Sequence, residues 1–296
     1  MAVAPEFMPR VRRCEAMSRH TSWHVGGPAE VYFRPRDRRE LVAFLRSLPA
    51  DVPLHWLGLG SNLLVRDGGL RGVVIATSDA LERLDRVAET TVFAEAGVAC
   101  ARIARECIHW GLGPAEFLAG IPGTLGGALA MNAGAFGGEI WDHVIEVQTI
   151  DRRGVERVRA RSEFEVGYRS VRAPVPEEGF LAARLHFDRK LAANEAEVRE
   201  LLAKRKATQP IGAWSCGSVF ANPPGDHAAR LIETAGLKGF RIGDAGVSQK
   251  HANFIINYGS ASAAELEQLI EHVRATVERV HGVRLTPEVR ILGEPA

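Results

Sequence analysis

Residues 111–138 read GLGPAEFLAGIPGTLGGALAMNAGAFGG, and their composition decides what kind of protein this is. Nine of the 28 residues are glycine, against 30 in the whole chain of 296, and the only charged one is Glu116. Glycine at this density raises the backbone entropy lost on folding. A folded chain therefore uses it where the backbone turns with positive φ or approaches something closely. The stretch is too apolar for a solvated linker and lacks the serine and charge of a disordered one. A lone Gly-Gly would be a tight buried turn between ordinary elements. Gly120, Gly123, Gly126, Gly127, Gly134, Gly137 and Gly138 together point instead to backbone wrapped around a large ligand. Inside the stretch, residues 125–133 can open a helix whose first amides, near Gly126 and Gly127, face a phosphate.

Upstream lies a second turn of this kind, Gly58-Leu59-Gly60-Ser61-Asn62. Successive N–H groups around glycines make an anion nest, and Ser61 and Asn62 add side-chain donors. No Gly-Lys-Ser/Thr follows, so it is not a Walker loop, and no helical pattern follows, so it is not a dinucleotide GxGxxG. Asp67-Gly68, just beyond, reads as a plain hairpin turn.

The rest of the chain mixes α and β throughout. An extended run at residues 29–34 precedes Asp37-Arg-Arg-Glu40, a capping box, with Leu41, Phe44, Leu45 and Leu48 in helical period behind it. Strands are expected at residues 53–57, 72–76 and 90–95. Cys100, Ile103, Ala104, Cys107 and Ile108 then form a one-faced helix stopping at Gly111. Residues 144–150 and 155–160 pair around a turn, and residues 181–187 form another strand. A helix over 195–206 takes Asn194 as its cap, and Asp226 caps a short helix ending at Gly236. Residues 254–257 are a strand, Ser262 and Glu265 are a second capping box, and Leu266, Leu269, Ile270, Val273, Val277 and Val280 line the longest helix. Residues 283–292 close the chain in extended form.

The length suggests two or three domains. A net charge of +1 gives no field that would gather nucleic acid. No apolar run approaches the roughly 18 residues of a membrane span. The first twenty residues lack the apolar core of a signal peptide and read as an expression scar or a loose start, so a cytoplasmic protein is expected. The four cysteines form no CxxC. Cys100 and Cys107 belong to a core-facing helix, and the histidines lack HxxxH or HExxH spacing, so neither disulfides nor a metal site are expected.

Taken singly, the candidate groups support no reaction. Ser218 in CGSVF is not the GxSxG elbow. Cys216 with His227 is a conceivable thiol pair whose spacing means nothing by itself. Arg169 in Gly-Tyr-Arg either holds a carboxylate or phosphate by its fork or lies on the surface. Glu288, in a mostly apolar run, is either buried and proton-active or edge-exposed. Lys250 and His251 are of a type more often solvated than functional.

Taken together and in order, GLGSNLLVRDGGLRGVVI, AGIPGTLGGALAMNAGAFGG, GYRS, GSVFANP, VSQKHANFIIN and LTPEVRILG resemble the UDP-N-acetylenolpyruvoylglucosamine reductase (MurB) family, from about Thr21 onward. The resemblance implies an α+β flavoenzyme of peptidoglycan synthesis. Its FAD-binding domain would be of the vanillyl-alcohol-oxidase type and in two parts, with a smaller α+β substrate-binding domain beside it. Residues 1–77 with a C-terminal strand at 285–296 would form the first FAD-binding part, 78–206 the second, and 207–284 the UDP-sugar domain. NADPH would reduce the flavin, which passes hydride to the enolpyruvyl group of the UDP-sugar.

By match to the family motifs, Ser218 would protonate C2 of the substrate. Arg169 and a protonated Glu288 would stabilise the enolate. Gly58, Gly60, Ser61, Asn62, Ile121, Pro122, Gly123, Gly126, Gly127, Ala128, Asn132 and Gly134 would hold FAD. Tyr168, Asn222, Lys250, His251 and Asn253 would line the substrate side. The protein is expected to act as a monomer, with no nucleic acid or membrane partner. Two departures stand out. Ala221 occupies a position where family members often carry a basic residue. The short segment between Arg169 and Leu181 resembles the shorter class, which lacks a Tyr-bearing loop. Two other readings are an oxidase or dehydrogenase of the wider flavin group, and a UDP-sugar-binding protein without flavin. Arg169, Ser218 and Glu288 together argue against the first, and the intact glycine loops against the second.

Overall fold

The computed structural model describes residues 3–189 and 195–296, and these divide into two compact units. The first comprises Met1–Arg13, Val31–Leu59 and Gly72–Ala203; the second comprises Cys14–Glu30, Gly60–Arg71 and Lys204–Ala296.

Two cores build the first unit. One forms around helix α1, Arg38–Ser47, where Asp37 accepts from the Glu40 amide at 2.9 Å and so caps the helix. Leu41, Phe44 and Leu45 face Val31, Phe33, Val73 and Ile75, and Phe33 stacks on Phe44 at 3.7 Å between centroids. Strands Leu54–Leu57 and Leu70–Ala76 pair in parallel. The chain start corrects the reading of a scar or loose end. Pro5–Arg10 form a 3-10 helix, and Phe7 lies edge-on to Phe44 at 5.2 Å and to Phe33 at 6.2 Å.

The other core lies against a five-stranded antiparallel sheet in the order Glu156–Ala160, Val144–Ile150, Gly179–His186, Thr91–Glu95, Leu84–Arg86. Helix α2, Cys100–His109, buries Cys100, Ile103, Ala104 and Cys107, as its spacing predicts. Burial pushes both thiols up to about 12, so they stay protonated and act as small hydrophobes. Helix α3, Leu125–Met131, follows the glycine loop and ends at Asn132 in the left-handed conformation.

One buried ion cluster has no signal in the sequence. The Glu178 side chain is 1% exposed and accepts from Arg159 Nε at 2.6 Å, Arg159 Nη2 at 2.7 Å and Thr149 Oγ1 at 2.8 Å. Burial alone would raise the carboxyl, but the bonds from Arg159 and Thr149 outweigh it and hold Glu178 below its ordinary value. A depressed folded pKa stabilises the fold above the unfolded carboxylate value and loses that stability as pH falls through the folded value. Glu178→Gln removes the buried one of the two carboxylates on Arg159, leaving Glu163 Oε2 at 2.9 Å, and is expected to cost about 1–3 kcal/mol at neutral pH. The gap to the parent should close as acid protonates Glu178. Denaturant unfolding of both proteins across that range checks it, and a constant gap would contradict the assignment.

Helix α4, Glu195–Thr208, buries none of its residues. Its expected cap, Asn194, lies outside the described residues.

The second unit has one core. Trp23, Val25 and Leu64 pack with Val219, Phe220, helix α5 (Ala228–Thr234) and helix α6 (Ala263–His281). Ser262 and Glu265 form the expected capping box. Asp67 is more than a hairpin turn: its carboxylate accepts from the amides of Ala263 and Ala264, both at 3.0 Å, at the first turn of α6. Asp226 is not the cap of α5. It accepts from the adjacent His227 amide, whereas Asn222 Oδ1 accepts from Ala228 N at 3.0 Å.

The expected division at residue 77 differs from the observed grouping. Residues 14–30 and 60–71 belong with the C-terminal part. The Trp23 indole donates to the Ile255 carbonyl at 2.8 Å, and Asn257 Nδ2 donates to the Trp23 carbonyl at 2.8 Å. Arg66 grips Glu267 with both arms, at 2.7 and 2.8 Å. Strand Arg290–Leu292 pairs in parallel with Leu63–Val65.

Candidate active site

Residues 121–134 in the first unit are fixed by their own backbone. Cys100 N donates to the Gly123 carbonyl at 2.9 Å, and Leu125 N and Gly126 N donate to the carbonyls of Val98 and Ala96 at 2.8 Å. This corrects one expectation. The Gly126 amide does not face a phosphate, because Ala96 already takes it. Gly126 instead allows close packing, since an added Cβ would lie 3.0 Å from Ala96 Cβ. Pro122 and Gly127 are exposed, whereas Ile121 and Ala128 are buried.

Asn132 is buried, and its Nδ2 donates to Glu139 at 2.6 Å and to the Gly167 carbonyl at 3.1 Å, while Oδ1 accepts from Trp141 N at 3.3 Å. Its side chain ties the loop together. Gly134 pairs with Glu139, and an added Cβ would lie 2.3 Å from the Gly138 carbonyl.

Thr124, which is not among the residues singled out from the sequence, is the polar group that stands out. It is 1% exposed, and its Oγ1 has no hydrogen-bond partner among the described residues. A Cβ on Gly58 would come within 2.4 Å of that oxygen. An orphaned hydroxyl facing a glycine cradle fits a ligand that supplies the missing partner, and so fits the expected FAD.

Arg169 sits at the tip of a hairpin, Glu165–Gly167 with Ser170–Arg172, in which Gly167 pairs with Ser170. Its φ of 53° is left-handed, a conformation costing a non-glycine residue about 1–2 kcal/mol. Nη1 donates to the Asn132 carbonyl at 3.2 Å and Nη2 to the Gly134 carbonyl at 3.0 Å. The half-buried guanidinium is thus held at the glycine loop, and it lies 5.3 Å from the ring centroid of exposed Tyr168.

The second unit brings Ser218 and Glu288 onto neighbouring segments. Val219 N donates to the Asn253 carbonyl at 2.9 Å on one side, and Glu288 N donates to the Val219 carbonyl at 2.8 Å on the other. Ser218 bridges Phe254, and Phe220 bridges Pro287. Both Ser218 and Glu288 are half-buried, so Glu288 is neither wholly buried nor edge-exposed. Asn62 Nδ2 donates to the Glu288 carbonyl at 2.9 Å.

Asn253 is 4% exposed; its Oδ1 accepts from Phe220 N at 3.0 Å and its Nδ2 donates to the Phe220 carbonyl at 2.8 Å. With both amide atoms bonded to one backbone residue, its side chain positions the Ser218 segment. Asn222 is exposed but gives Oδ1 to α5. Lys250 is exposed and donates to the Lys206 carbonyl. His251 is held below its ordinary value, by burial and then by Lys238, and its Nδ1 has no partner among the described residues. Ser248, buried and unremarked in the sequence, accepts from the amides of Lys250 and His251 at 3.1 and 3.3 Å. Gly60, at φ 62°, lies so close to the His20 carbonyl that a Cβ would come within 1.9 Å of it. Ser61 beside it is half-buried. The Cys216 thiol is raised by burial, which removes it as a nucleophile.

The first unit thus carries a glycine loop with an anchored arginine, and the second a serine segment paired through its backbone with the Glu288 segment, an arrangement that suits a flavin-dependent oxidoreductase. Residues 29–159 match the FAD binding domain family, and residues 209–292 match the C-terminal domain of UDP-N-acetylenolpyruvoylglucosamine reductase. A UDP-N-acetylenolpyruvoylglucosamine reductase of Alkalilimnicola ehrlichii is 60% identical over 296 residues, covering 99% of each chain. One from Nitrosococcus oceani is 54% identical, covering 97% of this chain and 96% of its own. The crystal structure of the Thermus caldophilus MurB enzyme superposes with a TM-score of 0.81 at 33% identity, covering 95% of this chain and 98% of that one. The chain belongs to the UDP-N-acetylenolpyruvoylglucosamine reductase family. It is an α+β protein with an FAD-binding domain and a smaller C-terminal α+β domain.

Proposed function

We propose a division of labour among these residues for the reaction of the family. That reaction is the FAD-dependent reduction by NADPH of the enolpyruvyl group of UDP-N-acetylglucosamine enolpyruvate to UDP-N-acetylmuramate, in peptidoglycan synthesis. FAD, when bound, supplies the hydride, drawn from NADPH, for C3 of the enolpyruvyl double bond. Residues 58–62 and 121–128 with Gly134 hold it. Negative charge then develops at C2 and spreads into the substrate carboxylate. Arg169 meets that carboxylate with a fork its two carbonyl partners already fix, so less ordering is lost on binding. Protonated Glu288 donates to the enolate, and Ser218 delivers the proton to C2. Asn253 and Asn62 act by positioning. Tyr168, Asn222, Lys250 and His251 line the substrate side. Neutral His251 suits a hydrogen-bonding role more than an ion pair.

The observation that carries this reading is the lacing of the Ser218 segment between Asn253 and Glu288. It pairs the backbone of the Ser218 segment with that of the Glu288 segment, which supports a shared role for the two residues. Purified protein should be yellow and should oxidise NADPH when given the enolpyruvyl substrate. A colourless protein that takes up no FAD would overturn the reading. The protein is further proposed to be a monomer of the cytoplasm. Among the described residues no helix is long and apolar enough to cross a membrane.

A further inference from the structure

Thr124 is the only residue between Phe117 and Met131 whose side chain carries a hydroxyl, amide or charge. It occupies the N-cap position of α3, where threonine ordinarily accepts from an amide of the first turn, yet it makes no such bond. Its carbonyl accepts from Ala128 N at 2.9 Å, and it bridges Ala99 across the loop. The backbone of Thr124 is therefore fixed, and its hydroxyl is buried and without a partner among the described residues. Its nearest glycine neighbour is Gly58, where any side chain would collide with it at 2.4 Å. The amides of Leu125 and Gly126 are already bonded, and the stretch from 117 to 131 contains no cation.

From this we infer that the Thr124 hydroxyl donates a hydrogen bond to an anionic diphosphate oxygen of bound FAD, and that Gly58 is glycine so that the hydroxyl keeps its room. The inference rests on the FAD reading above. An anionic oxygen only accepts, and this hydroxyl is the one side-chain donor the loop can offer it.

The test uses three variants of the full chain, stripped of flavin and titrated with FAD. Thr124→Val keeps the shape and removes the donor, Thr124→Ser keeps the donor, and Gly58→Ala presses a methyl group onto it. Thr124→Val should weaken FAD binding by about 10- to 100-fold, and Thr124→Ser should restore it to within a few-fold of the parent. The flavin-free Thr124→Val protein should melt at or above the parent temperature, because an unsatisfied buried hydroxyl has been removed. A purely structural threonine would lower both quantities together. The flavin absorption maxima and reduction potential should stay put, since the contact is to the diphosphate. Unchanged affinity in Thr124→Val, or no recovery in Thr124→Ser, would overturn the inference. A shifted flavin spectrum and potential would overturn it too, by moving the contact to the ring. If Thr124→Val fails to fold, Gly58→Ala decides: about tenfold weaker FAD supports the contact and parental affinity contradicts it. A parent protein that takes up no FAD overturns both this inference and the reading beneath it, and shows before any variant is made.

Discussion

Ser218→Ala is expected to lower turnover by about 10²–10⁴-fold while leaving reduction of the bound flavin by NADPH at its parental rate. The two halves separate because the hydroxyl is needed only after charge has reached C2. The substitution should be clean. Ser218 is half-buried, and its segment is held by backbone bonds from Val219 to Asn253, from Glu288 to Val219 and from Ala221 to Thr286. None of these involves the Ser218 side chain, so stability should change by no more than about 0.5 kcal/mol. Serine is a weak acid and needs help to deliver a proton. Glu288, on the adjacent segment, is the group proposed to assist. Rapid mixing of the reduced variant with substrate reads the second half alone. Parental reoxidation there would remove Ser218 from the mechanism.

Arg169→Lys and Arg169→Ala should both lose about 10²–10³-fold in kcat, with lysine little better than alanine. Charge is not the only thing the arginine provides. Its two arms reach the carbonyls of Asn132 and Gly134 at once, and a single ammonium cannot reproduce that fork. Keeping a non-glycine residue at φ 53° also costs energy, and such strain concentrates at functional sites. Steady-state NADPH oxidation at saturating substrate measures the loss. A lysine variant with half the parental kcat would show that only the charge matters.

Local patterns were readable from the sequence where the physics is local. Helix α6 is an example: its capping box and its apolar period at Leu266, Leu269, Ile270, Val273 and Val277 all match burial, and only Val280, near its end, is exposed. The glycine loops announced a ligand for the same reason, since backbone entropy is spent there for close approach. Pairing between distant segments was not readable. Nothing near Gly179–His186 says that it lies between Val144–Ile150 and Thr91–Glu95, and nothing near Phe7 says that Phe33 and Phe44 receive it.

The candidate site divides along the same line. Motif order picked out Arg169, Ser218 and Glu288. The internal bonds of the asparagines in those motifs were not legible, because an amide that mimics backbone pairing has the same sequence as one that meets a ligand. Asn132 and Asn253 spend their amides inside the protein, and only their partners reveal it. Thr124 shows the reverse case. Its side chain looks like filler between glycines until its oxygen is found buried without a partner among the described residues.

Reoxidation of the NADPH-reduced protein under two acceptors tests the central claim most directly. In a stopped-flow instrument, UDP-N-acetylglucosamine enolpyruvate should restore the oxidised flavin absorbance much faster than dissolved dioxygen does. Rapid reoxidation by dioxygen with none by the enolpyruvyl sugar would make the chain an oxidase on the same scaffold and contradict the account.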